Sequence, residues 1–156
     1  MNDKMIKYSW DKKKRTMLRF IEPGDFFCFS LPSGKFGVGR IISKVSVGHS
    51  AEIFDVELNE PIIPDDCSSW PTSFYEILDS YSIFDRKAEG EWRIVGNAEI
   101  DKNKIYKEIF FAYGSLGDRV KVNLLNQEFK CSEEEYKNLP SYRPAGGRVI
   151  LRKMGY

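Results

Sequence analysis

Residues 22–42 constrain this chain more than any other stretch, because they alternate turn and strand signals at hairpin spacing. Pro23-Gly24 offers a preset φ followed by a residue that tolerates positive φ, and Asp25 adds a side chain that hydrogen-bonds nearby backbone. The aromatic run 26–31 suits a pleated, buried strand. Pro32-Ser33-Gly34 turns the chain over, and residues 36–47 return as a strand rich in Val and Ile. Gly37 and Gly39 alternate with Phe36, Val38 and Arg40, so one face of the return strand begins almost bare. Bare backbone admits a close neighbour or a sharp bend, as at the corner of a small barrel.

A chain of 156 residues buries one hydrophobic core without staples, and it reads as a single domain over 1–156. The aromatic share of 14% favours sheets with wide, flat packing surfaces. With 24 basic and 23 acidic residues, no global field draws the protein to nucleic acid or an anionic membrane. Cys28, Cys67 and Cys131 are widely spaced, with no Cys-x-x-Cys or Cys/His pairing, so no zinc site is expected. Two of them could pair, although reduced thiols are the simpler reading. No apolar run reaches ~18 residues and the first residues lack a signal-peptide core, so the expectation is a soluble, cytoplasmic protein.

Beyond the hairpin, Gly48-His49-Ser50 reads as a turn and residues 51–58 as a third strand. Phe54, Val56 and Leu58 face one way there, and Asp55 and Glu57 the other. Pro61, Pro64 and Pro71 then break the pattern, in a connection that carries Asp65, Asp66 and Trp70 and leads into Phe74 and Tyr75. Proline fixes φ and removes ladder donors, so this is an irregular surface segment of the kind where binding concentrates. The plainer account is that Trp70 and Phe74 cover the core while the acids are solvated. Residues 76–84 fit neither period. Further strands are expected at 91–96, 105–113, 120–124 and 148–152. The clearest helix signal is 132–139: Ser132 caps it, Glu135 completes a capping box, and acids face its positive end. Residues 1–15 read as a flexible basic arm, with Lys12-Lys13-Lys14-Arg15 either solvated or contacting phosphate. The chain is therefore expected to be mostly β with one short C-terminal helix.

The inventory for catalysis is thin. His49 is the only histidine, and nothing in its spacing joins it to Cys28 or Cys67 as a nucleophilic site. The glycines at 34, 37 and 39 lie inside a hairpin and lack the Gly-Lys-Ser/Thr of a phosphate loop. Asp65 and Asp66 need a further ligand before they hold a metal, so no cofactor is expected. Arg40 sits on a central strand, where a charge must find a partner such as Asp25 or serve as an anchor for an acidic or phosphate-bearing partner.

Two resemblances bear on these residues. Pro23-Gly24-Asp25-Phe26-Phe27, then residues 31–41 ending in Gly39-Arg40-Ile41, and later Trp92-Arg93-Ile94-Val95-Gly96, together resemble the immunity protein 26 family of bacterial polymorphic toxin systems. The resemblance covers roughly residues 20–100. It implies a non-enzymatic cytosolic protein that neutralises a toxin. Gly24, Asp25 and Arg40 also resemble the opening of the PemK-like toxin ribonucleases, which are SH3-like barrels, although acid/base partners for Arg40 are missing. A nucleic-acid-binding β-barrel module is a third reading. The expectation is an SH3-like curled antiparallel sheet or small barrel that inhibits a cognate toxin stoichiometrically. Asp65, Asp66, Trp70, Phe74 and Tyr75 form the candidate partner-binding surface, Arg40 is a candidate anchor, and the acids at 133–135 are an adjunct.

Overall fold

The structure is a computed structural model that describes residues 5–10, 18–85, 91–100 and 104–156. The basic run 12–15 lies outside the described residues.

Among the described residues, nine strands form two antiparallel sheets. The larger contains β1 (Ile6–Lys7), β2 (Asp25–Ser30), β3 (Phe36–Val45), β4 (Gly48–Phe54), β5 (Thr72–Leu78) and β6 (Trp92–Asn97). Their order is β1-β6-β2-β3-β4-β5, so the expected hairpin lies at the centre. The smaller sheet is β7 (Phe110–Tyr113), β8 (Val120–Asn123) and β9 (Glu128–Lys130), preceded by helix α1 (Lys104–Glu108). Helices α2 (Glu133–Asn138) and α3 (Gly147–Lys153) follow. Among the described residues no ladder joins β1 to β5, so the sheet stays open and does not close into a barrel.

Strand alternation divides the core. On one face Phe27, Phe29, Ile41, Ala51, Ile53, Leu78 and Trp92 pack beneath Ile83, Phe84 and Ile150. The last three come from a π-helical turn (Tyr81–Asp85) and α3. Phe29 and Trp92 stack with centroids 4.0 Å apart. The two bare positions of β3 have their explanation here. A Cβ at Gly37 would lie 2.4 Å from the Phe29 ring, and one at Gly39 2.4 Å from the Phe27 ring. Each ring thus lies across the glycine it faces in register, Phe29 on Gly37 and Phe27 on Gly39. Gly24, at φ +90°, makes the turn expected before β2, and Asp25 closes it by accepting from the Glu22 amide at 2.8 Å.

The other face carries two clusters. Phe26, Cys28, Val38, Phe54, Ile63 and Val95 form one, joined by Trp10 and Trp70. Ile42, Val45 and Ile77 form the second with Tyr106, Phe111 and Leu124. The Ser43 and Ser50 hydroxyls both donate to the Leu124 carbonyl, at 2.5 and 2.6 Å, tying the small sheet to the large one.

The fold is mostly β as expected, but four local expectations need correction. Residues 148–152 are helical, not a strand, because Ile150 turns into the core while Arg148 and Val149 stay exposed. Residues 105–113 divide into α1 and β7, so the chain has three short α-helices among the described residues and not one. The third strand ends at Phe54, and Leu58 contributes only an isolated bridge to Phe36. His49 lies within β4 and is buried, not in an exposed turn. The N-terminal segment is docked where it is described, since Ile6 and Lys7 pair with β6 and Trp10 packs edge-on against Phe36. Residues 132–139 match expectation: Ser132 Oγ accepts the Glu135 amide and Glu135 Oε1 accepts the Ser132 amide, each at 3.0 Å.

Candidate functional site

Between the two clusters of the second face the sheet is left uncovered, and a cavity of about 390 Å³ opens there. Its floor comes from the central strands. In register, Arg40 of β3 faces Glu52 of β4, and Glu52 faces Tyr75 of β5. Phe26, Phe54 and Thr72 complete the floor, while α1 contributes Ile105 and Tyr106. The connection between β4 and β5 supplies Asp65, Cys67, Ser68 and Trp70 to the wall, and Ala98 and Glu99 close the opposite side.

The polar groups of the floor are fixed. Glu52 is buried, and its oxygens are both engaged: Thr72 Oγ1 donates to Oε2 at 2.5 Å and the Tyr106 hydroxyl to Oε1 at 3.2 Å. Arg40 Nη2 donates to the Ala98 and Glu99 carbonyls at 2.6 and 2.8 Å, and its guanidinium lies 4.9 Å from the centre of the Phe26 ring. Arg40 therefore clamps the segment after β6 and does not pair with Asp25, which is held by the Glu22 amide and Asn97. Burial, and then the negative Glu52 beside it, raise the Tyr106 hydroxyl pKa well above the phenol range. The same causes raise Tyr75. Burial raises the Cys67 thiol, with the Arg40 charge opposing it.

The residues singled out from sequence are distributed as follows. Arg40, Asp65, Trp70 and Tyr75 all line the cavity. Asp65 is almost fully exposed and pairs with Lys7 at 2.7 Å. Trp70 packs edge-on against Phe54 at 5.3 Å. Asp66 is exposed beside the wall; Ser68 donates to it from its hydroxyl at 2.6 Å and its amide at 3.0 Å, holding the carboxyl below its ordinary range. Phe74 projects to the opposite face, where it packs on the aromatic core and Lys153 stands 5.7 Å from its ring. The acids at 133–135 lie on α2, where Glu133 pairs with Arg119 and Glu135 with Lys121.

Sequence reasoning missed Glu52, Thr72 and Tyr106. Glu52 had a readable signal: it shares strand parity with Phe54 and so places a carboxylate on an apolar face. Tyr106 was hidden by reading α1 as strand.

Two other groups carry no visible chemistry at this cavity. His49 bonds through Nδ1 to Ser80 Oγ at 2.7 Å, at a separate recess lined by Leu18, Lys44 and Tyr81. Burial, aided by the Lys44 charge, lowers its pKa to about 4. Cys28 is enclosed in β2, and burial pushes its thiol up to about 12. Among the described residues no three His, Cys, Asp or Glu side chains converge as metal ligands, and no helix is long and apolar enough to cross a membrane.

With this geometry in hand, comparison with known proteins gives one positive finding. The family model described as Immunity protein 26 matches residues 22–122, a span that takes in the central hairpin, the β4–β5 connection and most of the cavity wall. No curated protein and no solved structure matches the chain significantly.

Proposed function

The chain belongs to the immunity protein 26 family, and we propose that it protects a bacterial cell by binding a cognate toxin stoichiometrically in the cytoplasm, without catalysis. The surface proposed for that contact is the cavity mouth and the β4–β5 connection, with Asp65, Asp66, Trp70 and Tyr75. The observation that carries the reading is the placement of that connection. Its exposed acids and half-buried tryptophan rim a concave, polar-floored opening on the central strands. Interfaces draw their energy from a few aromatic anchors and take specificity and association rate from complementary charge. Acids at the rim suit a basic toxin, such as one directed at nucleic acid. Phe74 enters this surface only indirectly, by holding β5 from behind.

The test is rescue. Cells expressing the toxin domain of an adjacent secreted protein should survive when this protein is co-expressed, and the two should co-purify 1:1. Changing Asp65, Asp66 and Trp70 together should weaken the complex by about 3 kcal/mol or more. Undiminished protection by the triple variant would move the contact elsewhere. RNA cleavage by the purified protein that depends on Arg40 would support the PemK-like reading instead.

A further inference from the structure

Arg40 is the feature of the cavity that its structural clamp does not fully explain. A guanidinium carries five N–H donors. Nη2 spends its own on the Ala98 and Glu99 carbonyls. Nε is sealed from solvent with no acceptor among the described residues. Nη1 has no acceptor among the described residues either, and unlike Nε it is not sealed. The neighbouring carboxylate does not neutralise it by contact, because Glu52 is held by Thr72 and Tyr106. At the mouth, Asp65 is tied to Lys7. The side chain is thus pinned at one nitrogen and against Phe26, and it lines a volume that holds an incoming side chain, with Nη1 the donor left for it. A donor fixed before its acceptor arrives costs little ordering entropy on binding.

Resting on the reading above, we infer that the cavity receives a carboxylate side chain, Asp or Glu, presented by the toxin, with Arg40 Nη1 as its donor. A protein carboxylate fits better than a phosphate. Glu52, Asp65 and Glu99 all line the cavity and repel a dianion about twice as strongly as a monoanion, so the single guanidinium offsets that repulsion more readily for a carboxylate than for a phosphate. The partner surface is then of mixed sign, basic where it meets Asp65 and Asp66 and acidic at the one point that enters. Such an arrangement fixes register as well as attraction.

Two measurements test this. The first needs no variant and no toxin: the Arg40 Nε–H resonance of the whole protein is followed by NMR while N-acetylglutamate, N-acetylglutamine or inorganic phosphate is added to about 100 mM. The expected result is a saturable shift with N-acetylglutamate at about tenfold lower concentration than with either of the others. No shift, or an equal response to the amide, overturns the proposal, and preference for phosphate overturns the choice of carboxylate. The second uses the toxin complex. Arg40→Gln, or Arg40→Lys if the first lowers the melting temperature, should weaken the complex roughly 30-fold. Neutralising one acidic toxin residue should then cause no further loss in that background. A complex that forms normally with either variant overturns the carboxylate anchor and leaves the immunity reading intact. An acid-selective NMR response without any toxin complex does the reverse.

Discussion

The two faces of the central sheet are built from the same strands and end in opposite states. On one, Phe27, Phe29, Ile41, Ile53 and Trp92 are enclosed by the π-helical turn and α3, and the buried Glu76 of that face is paired with Lys153 of α3. On the other, the alternate residues of those strands include Arg40 and Glu52, and the covering elements stop short of them. Dispersion and water removal stabilise the first face, while the second gives up burial in order to keep a guanidinium and a carboxylate oriented. On the proposed function, stability and recognition are separated by a single step of strand parity. Substitutions should divide along the same line.

The largest effect is expected on the closed face. Trp92→Ala removes the ring stacked on Phe29 and should cost about 4 kcal/mol in urea unfolding; a loss under 1 kcal/mol would mean that the aromatic core is not what holds the sheet. His49, which shares parity with Ala51 and Ile53, should make the fold acid-sensitive. Its folded pKa of about 4 lies below the ordinary 6.5, so the unfolded chain binds the proton first as pH falls. Stability should therefore drop from pH 6.5 towards pH 4 by roughly 3 kcal/mol, and His49→Gln should flatten that limb. Gly39→Ala would drive a methyl towards the Phe27 ring and the Glu52 carbonyl, for a loss of about 2 kcal/mol by thermal or chemical denaturation. Ser132→Ala, on neither face, removes one half of the capping box and should cost about 1 kcal/mol without changing toxin protection.

Much of the closed face was legible in advance. The Pro-Gly turn, the aromatic strand and the two glycines of β3 are local signals, and the rings that fill the bare positions come from the adjacent strand of the same hairpin. The cavity was legible only in pieces. Arg40 stood out as a charge on a central strand, and the proline-rich connection as a place for binding. What brought them together was long-range: Thr72 and Tyr106 converge on Glu52 from 20 and 54 residues away. No local period encodes that convergence. The C-terminal helix α3 was missed for a related reason. Its Arg148, Val149, Ile150, Leu151 and Arg152 satisfy a strand alternation as well as one helical turn, and tertiary packing of Ile150 decides between them.

The proposed function has the open face occupy a toxin. Its most direct test is titration of the toxin's activity with wild-type protein and with the exposed charge reversal Asp65→Lys/Asp66→Lys. The account predicts complete inhibition at one equivalent of wild type, and a large excess needed for a reversal variant whose melting temperature is unchanged. Equal inhibition by both proteins, or protection at far below one equivalent, would contradict it.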